Sequence, residues 1–207
     1  MKQSVKACVF CASPLAGRRS KEHVFPQWLQ DFLLLRGQPL HSASYTVQGQ
    51  LEPANTRSLV LNAHVNGQVC AQCNHGWLCD LEGRAKPFLA PLFDGTFHGS
   101  LPPEDCEVIA EWLFKTALTL QSAEHRGECA VPPQHFAAFY SGRSIPQDVT
   151  IAVAPFSAGD PTPSWTINGH WRGIGEGPAP QALVDHYQQS YKITIHAGRL
   201  AWRVTYP

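Results

Sequence analysis

Methionine occurs only at position 1, and charged residues make up 15% of the 207-residue chain, against about a quarter in an ordinary soluble domain. Sixteen Lys and Arg balance sixteen Asp and Glu, so the formal net charge is zero. That balance permits nucleic acid as a partner without demanding it. There is no apolar run of about 18 residues that could cross a bilayer as a helix; runs such as Ala7 to Ala12 are far too short. The N-terminus carries Lys2 and Lys6 but lacks the apolar core of about 7 to 15 residues that a secretory signal needs, so a cytoplasmic location is expected. No internal repeat, low-complexity run or phosphate-binding P-loop is present.

What the chain does have is apolar bulk. Hydrophobic residues reach 43%, with ten Phe, six Trp and five Tyr, a composition that folds rather than staying disordered. The length fits one domain or two small ones. The zero net charge hides an asymmetry: residues 1 to 86 hold nine Lys/Arg against five Asp/Glu, a net of +4, and residues 87 to 207 hold seven against eleven, a net of −4. A basic half can lie on phosphate while the acidic half faces away, although +4 is modest.

Seven cysteines are present. In a reducing compartment, closely spaced thiols read first as metal ligands rather than disulfides. Cys8 and Cys11 form one C-x2-C, Cys70 and Cys73 a second, and two such knuckles supply the four thiolates of a tetrahedral zinc site. A redox dithiol is the lesser alternative. Cys79, Cys106 and Cys129 have no such companion, and a thiol of that kind is expected to pack as a small hydrophobe.

Fifty-eight residues separate Cys11 from Cys70, more than a simple zinc ribbon carries. Within them, Ser20-Lys21-Glu22-His23-Val24-Phe25-Pro26-Gln27-Trp28-Leu29 sets a carboxylate beside an imidazole at a strand end, followed by a proline and an apolar helix to about Leu35. The second knuckle runs directly into an amide, in Cys70-Ala71-Gln72-Cys73-Asn74-His75-Gly76-Trp77.

These residues resemble an HNH endonuclease of the ββα-metal (His-Me finger) superfamily, in its four-cysteine zinc-stabilised form. The segments EHVFPQWL and CNHGWLCDLE look like a subgroup with motifs close to E-H-x-x-P-x-W-L and C-x-x-C-N-x-G-W-x-x-x-L-E. The likeness covers roughly residues 8 to 90, with a weaker echo in Glu111-Trp112-Leu113-Phe114-Lys115-Thr116-Ala117. It implies that His23 is the general base, that Glu22 and Asn74 hold a catalytic Mg2+ or Mn2+, and that Cys8, Cys11, Cys70 and Cys73 hold a structural zinc. The chemistry wants the same set: phosphodiester hydrolysis needs a water deprotonated by a neutral imidazole and a cation with hard oxygen ligands beside the phosphate. A zinc with four thiolates has no open position and is structural.

The chain departs from the HNH pattern in two places. The central Asn that braces the base-bearing loop in many relatives falls on Val65; Asn66 is the candidate for that role, with Asn62 three residues before Val65. Gly76-Trp77 stands where many relatives carry a Lys, which leaves Lys21, Arg18, Arg19 and Arg84 as cations for phosphate. On a helix starting near Asn74, positions 74, 78 and 82 share a face, so Glu82 either reaches the metal through water or supports Trp77 and the knuckle. His75 points away from Asn74, to solvent or DNA. His41 and His64 have no motif partner and read as surface or core residues.

The expected fold is α+β. It comprises a zinc-clamped ββα-metal, treble-clef-like nuclease module over residues 1 to 100 and an α+β accessory domain over 101 to 207. Tyr45 to Leu51 and Leu59 to Val65 read as strands turning at Glu52 to Asn55. Pro87, Pro91, Pro102 and Pro103 read as a loop and domain edge, and Glu104 to Glu124 as a largely buried helix. A helix over Pro133 to Tyr140 is followed by strands over Val149 to Ala154 and Ser164 to Arg172, then by a hairpin of Tyr191 to Ile195 and Leu200 to Tyr206. Trp165, Trp171, Trp202 and Tyr206 are expected in the core rather than stacked on bases. Two functions follow: a metal-dependent endonuclease acting on nucleic acid, DNA before RNA, as a monomer or homodimer and without membrane attachment; or a non-catalytic zinc module that binds nucleic acid or a protein. The adjacent Glu22, His23 and Asn74 favour the first, since a zinc module needs only its cysteines.

Overall fold

The computed structural model describes residues 6–15, 20–47, 51–124, 131–157, 160–168 and 190–207. Arg18, Arg19, Gln48 to Gln50, Cys129 and Gly169 to Arg172 of the expectations above lie outside the described residues. Helices and antiparallel strands are both present, an α+β architecture.

The first knuckle is a tight turn. Ala7 bridges to Pro14, Cys8 N–H donates to the Ser13 carbonyl at 2.8 Å, and Ala12 takes up a left-handed φ of 58° to close it. Phe10, between the two cysteines, is buried at 2% exposure and packs edge-on against Trp77 and Phe136. The chain then forms β1 (Glu22–His23), which pairs antiparallel with β4 (Val65–Asn66) in the register Glu22 to Asn66 and His23 to Val65. Pro26, whose fixed φ suits a helix start, leads into α1 (Gln27–Phe32), anchored by buried Leu29.

Between α1 and β4 lies a long two-stranded ribbon, β2 (Pro39–Val47) with β3 (Leu51–Val60). Its register differs from the sequence expectation. Glu52 to Asn55, read as the turn, lie inside β3, where Pro53 pairs opposite Tyr45 beside a shift in register. A proline lacks a donor but is accepted at an irregularity of an edge strand, so Pro53 marks a bulge here and not a turn. The second expected strand also breaks: Leu61–Ala63 is a single turn around buried Leu61, and it re-aims the chain into β4.

After the second knuckle come α2 (Ala71–Cys73), a wide turn over Asn74–Leu78 that is irregular at Gly76 (φ −98°, ψ −116°), and α3 (Cys79–Asp94). Here again the structure corrects the sequence reading, because Pro87 and Pro91 sit inside α3. Leu81, Ala85, Leu89 and Phe93 recur every four residues as a buried stripe. That packing outweighs the hydrogen bonds which the two prolines forfeit. Gly95 ends the helix in the left-handed region at φ 77°.

Three further elements complete the core: α4 (Pro103–Glu124), α5 (Pro133–Gly142) and an antiparallel sheet of order β5-β8-β7-β6, built from β5 (Thr150–Pro155), β6 (Ser164–Asn168), β7 (Tyr191–Ala197) and β8 (Leu200–Tyr206). The expected terminal hairpin is present. Its turn residue Gly198 has φ +55°, and a Cβ there would lie 2.3 Å from the Phe93 carbonyl oxygen, so the turn docks against α3 only as glycine. From the middle of α4, Trp112 meets Trp28, Phe93 and Trp202 at 6.3, 5.8 and 6.2 Å between ring centroids. Buried residues of α3, α4 and the sheet thus belong to one apolar cluster. Trp202 lies in the core as expected, and Trp165 is half-buried against His64 and Phe25.

His135 on α5 is buried beside Tyr191, with Nδ1 3.0 Å from the tyrosine hydroxyl. Burial holds its pKa below the ordinary histidine value, against the pull of Asp148. The unfolded chain therefore binds this proton more readily than the folded one, and stability is present above the unfolded value near 6.5 and lost as pH falls below it. Urea midpoints measured at pH 7 and pH 5 should drop less in His135→Gln than in the native chain; an equal drop contradicts this assignment.

Candidate functional site

The four knuckle cysteines converge. Among the described residues they are the only group of three or more His, Cys, Asp or Glu able to hold a metal ion, with all four sulfurs within 4.8 Å of one another. Cys11 Sγ and Cys70 Sγ lie 3.6 Å apart. Zn–S bonds of about 2.3 Å in a tetrahedron separate sulfurs by about 3.8 Å, so the set fits a tetrahedral thiolate site. Backbone N–H groups already point at the sulfurs: Cys70 N–H donates to Cys8 Sγ at 3.3 Å and Cys73 N–H to Cys70 Sγ at 3.4 Å. Burial works against ionising Cys11, but hydrogen bonds from Ser13 outweigh it and bring that thiol down to about 6. Burial pushes the Cys70 and Cys73 thiols up, as expected for crowded sulfurs that a bound cation converts to thiolates.

The cluster joins the chain before β1 to the chain after β4, and that junction builds the neighbouring site. Glu22 is 4% exposed; it lines a small pocket of about 190 Å3 together with Asn74, His75, Cys79 and Glu82. Glu22 and Asn74, 52 positions apart in the sequence, thus meet as expected. The amide nitrogen of Asn74 is engaged in a hydrogen bond to Ser20 Oγ, which leaves the amide oxygen as the ligand atom. Asn66 is buried, and its Nδ2 donates to the Thr119 carbonyl at 3.1 Å while its Oδ1 accepts from Gln68 N–H at 2.8 Å, tying β4 to α4 and to the chain before the second knuckle rather than to the segment that carries His23.

Glu82 is not a support for Trp77. Its carboxylate pairs with Lys115 Nζ at 2.7 Å, and the same ammonium pairs with Glu22 at 2.6 Å. Lys115 is fully buried. Burial alone would lower its pKa, yet the charges of Glu22 and Glu82 hold it well above the ordinary lysine value, so the ammonium stays charged. Trp77 is held instead by Phe10, Phe139 and Tyr140, with the Arg143 guanidinium 4.2 Å over its ring. A pocket of about 210 Å3 on that side of α3, lined by Trp77, Arg84, Glu111 and Arg143 among others, already has its Arg84 paired to Glu111 and offers no imidazole.

His23 is half-buried on β1. Its neighbour Glu22 lines the pocket and pairs with Lys115; successive strand residues point to opposite faces, and His23 is not one of the pocket's lining residues. The ring hydrogen-bonds to the backbone of Asn62 and has Nε2 3.5 Å from Gln27 Nε2. Burial lowers its pKa below the ordinary value although Glu22 opposes this, which leaves a neutral imidazole at neutral pH. Lys21 is exposed beside the pocket-forming strand.

In donor chemistry, Glu22, Asn74 and Glu82 fit a hard divalent ion. Their geometry gives two of the three an ammonium as partner. Sequence reasoning missed Lys115, although the signal was present: a lysine enclosed by Trp112, Leu113, Phe114, Thr116 and Ala117 in an otherwise apolar helix stretch needs a buried counter-charge. It also missed His75 and Cys79 at the pocket; both Cys79 and Cys106 are exposed and not packed as small hydrophobes, since neither lies on the buried stripe of its helix. His64 is buried with Nε2 2.7 Å from Glu124, stacked on Trp165, a core hydrogen bond without a sequence motif. Among the described residues no helix is long and apolar enough to cross a membrane. No family model, curated protein or solved structure matches the chain.

Proposed function

We propose that this protein is a metal-dependent endonuclease of the HNH type that hydrolyses phosphodiester bonds in nucleic acid, DNA in the first instance. The observation that supports the reading is the meeting of Glu22 and Asn74 at one small pocket, with His23 next to Glu22 on the strand β1, beside the four-cysteine cluster. In this reading the ribbon β1–β4 with α3 is the ββα-metal module, and the cysteines hold a structural zinc with no position open to water.

His23, neutral at pH 7, accepts the proton of the attacking water, while its bond to the Asn62 backbone fixes the ring. Asn66 keeps the strand opposite from shifting. Glu22 and Asn74 would hold Mg2+ or Mn2+, which when bound supplies charge stabilisation to the phosphate oxygens. Lys21 and His75, both exposed, are the side chains placed to meet the strand backbone.

One observation favours a second reading, a zinc module that binds nucleic acid or a protein without cleaving: Glu22 and Glu82 are both paired to Lys115, and His23 is not a lining residue of the pocket. The native protein with supercoiled plasmid, single-stranded DNA and RNA distinguishes the two. Nicking that requires Mg2+ or Mn2+ and stops with EDTA is the expected result. Retention of nucleic acid with no cleavage under any divalent ion hands the lead to the zinc module.

A further inference from the structure

The ammonium of Lys115 bridges Glu22 and Glu82 at 2.6 and 2.7 Å, from a side chain with no solvent exposure, delivered by a helix that starts more than twenty residues after the pocket's last lining residue. Glu22 also opens onto the pocket with Asn74, so one carboxylate serves two claimants. We propose that Lys115 is a positioning residue that competes with the divalent ion for Glu22, so that the ion affinity of the site is set by withdrawing that ammonium onto Glu82.

Three features carry this. A lysine ammonium is a point charge with three donors on a flexible four-carbon stem, so it can leave one carboxylate while keeping the other. Two carboxylates and one ammonium give the pocket a charge of −1, and a divalent ion on Glu22 would sit within a few ångströms of a like charge, a repulsion felt strongly away from bulk water. A buried ion triad is also weak support for a fold compared with apolar side chains of the same size, so stability alone does not account for it. Glu82 then has a definite task, as the carboxylate that retains the ammonium when Glu22 turns to the ion.

The inference rests on the reading of Glu22 and Asn74 as cation ligands. Its test is Mn2+ titration of the full, zinc-loaded chain, read by the electron paramagnetic resonance signal of free Mn2+, for native protein, Lys115→Arg, Lys115→Met and the double variant Lys115→Met with Glu82→Gln. The expected result is that Lys115→Met binds Mn2+ about tenfold tighter or more, that Mn2+ raises its Tm more than the native Tm, and that Lys115→Arg stays close to native. The double variant keeps the native pocket charge of −1. It should still bind more tightly, because Glu22 no longer shares its oxygens, whereas a role that is merely a sum of charges predicts native affinity. If Lys115→Met does not fold, the double variant, which buries no uncompensated carboxylate pair, decides the matter.

Mn2+ affinity in Lys115→Met and in the double variant equal to or weaker than native overturns the proposal. Run beside the plasmid assay, the outcomes separate: native cleavage with unchanged Mn2+ affinity in the variants removes the role of Lys115 and leaves the nuclease. Tight Mn2+ in the variants with no native cleavage keeps the competition and removes the nuclease. Absence of Mn2+ binding in all four proteins sinks both.

Discussion

Replacing Cys73 with serine, or stripping the cluster with a strong chelator, should unfold the N-terminal half of the chain. Thiolate–zinc sites contribute about 10–16 kcal/mol of apparent binding energy at neutral pH, comparable to or larger than the whole stability of an ordinary domain. The other links between the two segments are few and local: Val9 N–H to the Gln68 carbonyl at 2.9 Å, Val24 N–H to the His64 carbonyl at 3.1 Å, Phe10 against Trp77, the Asn74 amide to Ser20, and a two-residue ribbon at Glu22–His23. Cys8 and Cys73 are themselves buried with Phe10 in the core, so a serine at position 73 loses both the ligand and apolar packing. Far-UV and near-UV circular dichroism with parallel zinc analysis should show lost zinc and lost aromatic signal together. A chelated protein that keeps its native near-UV spectrum and Tm contradicts the clamp.

Trp112→Ala should be the most damaging substitution away from the cysteines. Its side chain is fully buried where α1, α3 and β8 meet, against Trp28, Phe93 and Trp202. Truncating a buried tryptophan to alanine costs about 3–5 kcal/mol through lost transfer energy and the cavity left behind. For a chain of this size that lowers Tm by roughly 6–20 °C. Since the lost contacts reach α1 on one side and the terminal sheet on the other, probes in both regions should report the same lowered midpoint. A shift below about 1 kcal/mol, or a midpoint that moves in one region alone, would show that the cluster does not couple them.

Much of this was legible in the residues. The two C-x2-C pairs, the apolar spacing of α4, and the alternation and glycine turn of the terminal hairpin rest on local chemistry, and local chemistry survives into the fold. Glu22 and Asn74 were named from motifs and do meet at one pocket; Asn66 was named over Asn62, and its side chain ties β4 to α4. The failures share a cause, which is that tertiary packing overrode a local rule. Pro87 and Pro91 break a helix in isolation, but the stripe Leu81, Ala85, Leu89 and Phe93 holds α3 through them. Pro53 marks a turn by composition, but the long pairing of β2 with β3 absorbs it as an irregularity. Lys115 lies 93 positions from Glu22 and 33 from Glu82, and no spacing rule connects three residues on a strand and two helices. The same holds for His64 and Glu124, paired across 60 positions.

In the proposed nuclease His23, next to Glu22 on β1, is the general base. The most direct measurement is the initial rate of supercoiled plasmid nicking with Mn2+, for native protein and His23→Ala matched in zinc content and Tm. Loss of a positioned general base lowers such a rate by about 10²–10⁴-fold, with plasmid affinity unchanged; that is the result predicted. Equal nicking rates in the two proteins would contradict it.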